Sequence, residues 1–169
     1  MKTKARSSIY LPMAAMILTA ALAIPAAAQT QVPFKGTIQG QDTDKGFTSP
    51  GMFLVETNGT GIGTLLGQFS FKLEITINVA DGTDTGSADF KSANGDTIDA
   101  TCTSVMPAEP TLTPDGVVYS IMEFYTITGG TGRFAGAQGS FIMERVADPQ
   151  KSITFGSFHG TITSPRAAH

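Results

Sequence analysis

Phe69-Ser70-Phe71-Lys72-Leu73-Glu74-Ile75-Thr76-Ile77-Asn78-Val79 alternates without a break between apolar and polar residues. In an extended chain Phe69, Phe71, Leu73, Ile75, Ile77 and Val79 share one side, and Ser70, Lys72, Glu74, Thr76 and Asn78 share the other. A period of two belongs to a β-strand with one dry face and one wet face. A helix would scatter the same residues around its circumference.

Turn signals divide the sequence on both sides of this strand. Asp81-Gly82 closes it, and Asn94-Gly95 is a hairpin signal between strands expected at Ala88–Ser92 and Thr97–Val105. Pro107, Pro110 and Pro114 mark an irregular connection that ends at Asp115-Gly116. Further strands are expected at Val117–Ile127, Gly139–Val146 and Ser152–Thr163. Upstream, Phe34–Gly40 and Met52–Glu56 are expected strands, with Asp42–Pro50 a loop between them. About eight short strands and no helix of any length describe an all-β fold, an antiparallel up-and-down barrel. No Pro- or Ser-rich linker divides them, so residues 29–169 read as one domain.

Two patterns bear on how the barrel would close and what would surround it. Phe34-Lys35-Gly36-Thr37-Ile38 recurs as Phe158-His159-Gly160-Thr161-Ile162. Shared Phe and Gly positions on the first and last strands would let the two lie close together, although such residues also recur in strands by chance. Val117–Ile127 is apolar on both faces, with Val118, Met122 and Phe124 on the side opposite Tyr119, Ile121 and Tyr125. Something should cover its outer face: either the proline-rich segment or a chain end folding back, or a second subunit.

Residues 1–28 read as a cleavable export signal. Lys2, Lys4 and Arg6 precede an apolar run from Met13 to Ile24, and Ala26-Ala27-Ala28 offers small residues for cleavage before Gln29. The run is too short for a permanent membrane anchor. A secreted or periplasmic location is therefore expected. Without Lys2, Lys4 and Arg6, 8 basic residues face 14 acidic ones, a net charge of −6 instead of the full chain's −3. Nucleic acid and anionic membranes are not the partners such a surface attracts. Cys102 is the only cysteine, so no disulfide can form within the chain.

Thr126-Ile127-Thr128-Gly129-Gly130-Thr131-Gly132-Arg133-Phe134-Ala135-Gly136-Ala137-Gln138-Gly139 resembles the signature of the allene oxide cyclase and dirigent barrels. There a strand ends in a Gly-Gly-Ser/Thr-Gly turn, followed by an aromatic residue and a glycine that opens the next strand. The order of elements is similar over most of residues 29–169. The resemblance implies a calycin-like eight-stranded barrel with an apolar cavity, trimeric in many plant members. Physically, Gly129, Gly130, Gly132 and Gly139 give the backbone room to turn, and Phe134 can plug one end. Arg133 would face solvent or a carboxylate. The cyclases' first-strand Glu and Asn fall at Thr37 and Gln39, and their cavity cysteine has no counterpart. The resemblance therefore implies the fold and not the reaction.

Other local patterns carry less. Gly130-Thr131-Gly132-Arg133-Phe134-Ala135 matches a dinucleotide fingerprint in form, but it joins two strands instead of opening a helix. Asp42-Thr43-Asp44-Lys45-Gly46 begins like a calcium loop, yet its twelfth position is Phe53. With His159 and His169 the only histidines, neither a zinc site nor a serine triad can be assembled. Neither a metal nor a cofactor is expected. Asn58-Gly59-Thr60 has the form of a glycosylation site. Cys102 has the parity of Ile98 and Ala100, which describes a buried, unreactive thiol.

Glu123 is the one candidate for catalysis or ligand anchoring. It has the parity of Tyr119, Ile121, Tyr125 and Ile127, and a fold about Phe134 would set it opposite Arg145. The pair would be either a polar anchor in the barrel or a structural ion pair; a Glu123 on the outer face is the further alternative. The expected cavity wall is Phe69, Phe71, Leu73, Ile75, Ile77, Tyr119, Ile121 and Tyr125. The leading expectation is a barrel that binds a small apolar molecule. The alternatives are an isomerase or cyclase acting by shape, and a structural or envelope protein with a solid barrel.

Overall fold

The computed structural model describes residues 30–163, with the backbone alone for 103–108. The export segment and His169 lie outside the described residues. Eight antiparallel strands follow in order: β1 (Gln31–Ser49), β2 (Met52–Gly63), β3 (Gly67–Asn78), β4 (Asp84–Ser92), β5 (Thr97–Thr113), β6 (Gly116–Gly130), β7 (Gly139–Asp148) and β8 (Ile153–Thr163). Each pairs with the next and β8 returns to β1, so the sheet is a closed barrel. Closure leaves no edge strand exposed.

The repeated Phe-x-Gly pattern sets the closing register. Phe34 lies opposite Gly160, and Gly36 lies opposite Phe158. Each phenylalanine thus faces the other strand's glycine, and the inward space of the glycine takes the ring. The same device recurs between β2 and β3, where Gly59 and Gly61 oppose Phe71 and Phe69. A Cβ built on Gly61 would stand 2.3 Å from the Phe69 ring and 2.4 Å from the Thr37 carbonyl oxygen.

These rings fill one half of the barrel. Phe34 is 4.8 Å from Phe158 and 5.4 Å from Phe141, centroid to centroid, while Tyr125 stacks on Phe141 at 4.8 Å. Phe90, Ile98, Leu73 and Ile162 complete the packing, all fully buried. A buried aromatic of this kind contributes on the order of 2 kcal/mol by area. The turns of this end include a short 3₁₀ helix, Gly132–Phe134, which inserts the buried Phe134 as the motif suggests. Arg133 reaches Asp96 at 3.3 Å and donates to the Leu65 carbonyl.

Three expectations need correction. The segment 42–50 is not a loop: β1 continues to Ser49, pairing with Met52–Thr57 across register shifts at Asp44/Gly46 and Phe47/Ser49. Its polar residues hide the strand, because the apolar pattern lies on the partner Phe53-Leu54-Val55. β2 likewise runs on through Gly59 and Gly61 to Gly63. The proline-rich connection is the continuation of β5 to Thr113, with a register shift between Met106 and Glu109. The shift leaves Pro107 out of the ladder, where its missing N–H costs no pair, while Pro110 stays in register opposite Tyr119. This segment lies beside β6 instead of over it. The outward Val118, Met122 and Phe124 are half-buried.

Candidate functional site

The two ends of the barrel interior differ in chemistry. Toward the turns at 50–51, 79–83, 114–115 and 149–152, polar side chains enter the inward positions. Asp42 and Thr57 face each other on β1 and β2, Asp84 lies on β4 opposite Ile77, and Cys102 follows on β5. Glu123 on β6, Arg145 on β7 and Thr154 on β8 complete a ring of polar groups. Above this ring the inward Phe53, Val55, Ile77, Tyr119 and Ile121 are only half-buried.

Glu123 and Arg145 form the centre of the ring. Arg145 Nε donates to both carboxylate oxygens at 3.1 Å, and its Nη2 approaches Oε1 at 2.6 Å. Tyr125 donates its hydroxyl to Glu123 Oε2 at 3.3 Å. Glu123 is fully buried and Arg145 7% exposed, so these contacts replace water almost entirely. The two residues are not directly opposite, as a fold about Phe134 would make them: Glu123 faces Met143, and Ile121 faces Arg145. The hairpin folds one residue earlier, about Arg133. The long guanidinium side chain reaches back diagonally across the two strands. Burial opposes the charge on Arg145, but the Glu123 carboxylate outweighs it and holds the guanidinium more basic than usual. Burial, followed by the charge of Glu123, pushes the Tyr125 hydroxyl well above its ordinary range, so it remains a donor.

Comparison with protein families, curated proteins and solved structures returns no match. The chemistry of the site therefore rests on its own residues.

Asp84 differs from the other carboxylates. Glu123 holds Arg145 and Tyr125, and Asp42 accepts a 2.5 Å hydrogen bond from Thr57. Among the described residues, the only side-chain hydrogen bond to Asp84 comes from the Cys102 thiol at 3.5 Å. A thiol is a weak donor. Burial first, then the charge of Glu123, pushes the Asp84 carboxyl up to about 6. It is 8% exposed. Such a group changes charge near neutrality and keeps capacity for a donor.

The expected cavity residues separate into two sets. Phe69, Phe71, Leu73, Ile75 and Tyr125 are buried in the packed core. Ile77, Tyr119 and Ile121 are the half-buried ones, next to the polar ring. At the other end Gly129 and Gly130 are still strand, paired with Asp99 and Ile98, so the expected turn falls later, at Gly132 and Gly136 with their positive φ; Phe134 plugs this end and Gly139 opens β7. Thr57 and Thr154 carry no signal in the sequence, and Asp42 is noticed there only as the start of a calcium-like loop, not as an inward strand residue. Asp84 was legible by parity, since it shares the face of Gly86, Ala88 and Phe90, but the Asp81-Gly82 turn beside it obscured the start of β4. Clefts also occur on the outer wall around Phe155, which is 51% exposed, between the side chains of Gln39, Thr60 and Ile62.

Proposed function

We propose that this protein is an exported barrel of the allene oxide cyclase and dirigent type that binds one small, largely apolar molecule at the polar-ringed end. The observation that carries the reading is the change of lining within one barrel. One half is filled by interlocking rings, whereas the other sets half-buried apolar side chains over buried Asp84, Glu123 and Arg145. Apolar walls with a few convergent polar groups are the usual make-up of a small-molecule site. A packed barrel that served only as a scaffold would gain nothing from burying three ionisable groups there.

The test is native mass spectrometry of the protein from its own host, with solvent extraction of what it carries. The expected result is one bound molecule per chain, absent from an Ile121→Trp variant that narrows the opening. Bare protein in both preparations contradicts the reading.

One observation favours a second reading, an isomerase or cyclase that shapes a reactive substrate. Asp84 is a carboxyl poised at about 6 beside an apolar wall, suited to moving one proton near neutrality. The resemblance also carries a homo-oligomer, in which a second copy would lie against Val118, Met122 and Phe124.

A further inference from the structure

We infer that the ligand's polar head is an amine, held as an ammonium ion against Asp84. The inference rests on the proposed binding reading and narrows it to one ligand class. Among the described residues, the buried or half-buried carboxylates of Asp42, Asp84 and Glu123 project inward at the same barrel end, the exposed Asp44 opposite Val55 shares their face, and Arg145 is the cation among them. Arg145 is committed to Glu123 through three contacts. Asp42 has the Thr57 hydroxyl. Asp84 alone is left with a weak sulfur donor, and it is more than nine-tenths buried. A carboxylate accepts several hydrogen bonds, and a charged donor is the partner that gains most in a site partly withdrawn from water.

The other head groups fit less well. A carboxylate or phosphate head would meet the surplus negative charge. A hydroxyl head could donate to Asp84 but would leave that surplus uncompensated. An ammonium head supplies both the donor and the charge, while its apolar body lies on Ile77, Phe53 and Ile121. Ile77 is the cross-strand neighbour of Asp84, and Phe53 is the neighbour of Ile77, so the apolar wall begins directly beside the carboxylate.

Octylamine, octanol and octanoate, compared below their micellar concentrations, test this with the purified protein. Isothermal titration at pH 7.5 should rank them in that order, with the amine favoured over the alcohol by at least about tenfold. The ratio should fall as pH drops below about 6, where Asp84 takes up a proton. The groups facing Asp84 are Cys102 on β5, Glu123 and Tyr125 on β6, Arg145 on β7 and Asp42 on β1. Of these, Glu123 is held in its pair with Arg145, and Tyr125 remains protonated. In Asp84→Asn the amine-to-alcohol ratio should approach one, whereas Asp42→Asn should retain the preference. Octanol binding as tightly as octylamine to the wild type overturns the inference while leaving the binding reading in place. So does a preference that survives in Asp84→Asn. If none of the three binds, the binding reading falls and the inference with it.

Discussion

At the residue scale, Asp84 and the inward glycines show how position changes the effect of a side chain. Burial raises the Asp84 carboxyl above its unfolded value, so the native state binds its proton more tightly. The sign follows from linkage: this group lowers stability above pH 6, and the penalty disappears as pH falls below the unfolded carboxylate range near 4. Asp84→Asn should therefore stabilise the fold by about 1–2 kcal/mol at pH 8, less than the full shift because the amide is itself a buried polar group with a weak partner. The gain should vanish at pH 3.5. Urea unfolding at the two pH values measures it, and equal gains at both would contradict the assignment. Gly61 is the converse case, since a methyl group there meets the Phe69 ring and the Thr37 carbonyl oxygen. Gly61→Ala should cost about 1–3 kcal/mol by overpacking. A midpoint equal to that of the wild type would show that the β1–β2 pair can spread at little cost. Nothing in the local sequence distinguishes this glycine from a turn residue; only the ring of Phe69 across the pair does.

At the element scale, the hairpin of β6 and β7 carries the ion pair. Removing one partner strands a buried charge, so Glu123→Gln should destabilise by about 3–5 kcal/mol. The double variant Glu123→Leu with Arg145→Met removes both charges and should come close to the wild type or exceed it. Thermal melts of the three proteins check this, and a double variant as damaged as Glu123→Gln would mean that the pair is structurally indispensable. The strands themselves were partly legible. β3 announces itself by its alternation of a dry and a wet face, and β6 by a long run that is apolar on both faces. The outer half of β1 did not, because Asp42-Thr43-Asp44-Lys45 has no apolar alternation and gains its strand state from pairing with Phe53-Leu54-Val55. The far part of β5 failed for a related reason: its prolines read as breakers, and their place in the strand, Pro107 in a bulge and Pro110 opposite Tyr119, depends on β6 alongside. The Glu123–Arg145 contact was visible as shared parity, but its diagonal offset depends on where the β6–β7 hairpin turns.

At the scale of the whole molecule, one wall encloses two differently lined halves. Glycine–phenylalanine interlocking fills one half with rings, and the same strands continue into the polar ring of the other. The overall architecture could be read from the strand count and from the echo between Phe34–Ile38 and Phe158–Ile162, which became the closing seam. The division between a filled half and a polar half could not. It depends on which inward residues fall at the same height around the barrel, and that is a property of eight registers together. The proposed export belongs to this scale as well. N-terminal sequencing of the protein from its own host should begin at Gln29, and an intact Met1 on the folded protein would contradict the proposed location.

The central claim is that a small molecule enters the polar-ringed end and not the outer wall. The most direct measurement is nuclear magnetic resonance of the labelled protein during titration with octylamine. The account expects shifts centred on Phe53, Ile77, Asp84, Tyr119 and Ile121, with Phe34, Phe90 and Phe158 unmoved. Shifts centred instead on Gln39, Thr60, Ile62 and Phe155, or none at all, would contradict it.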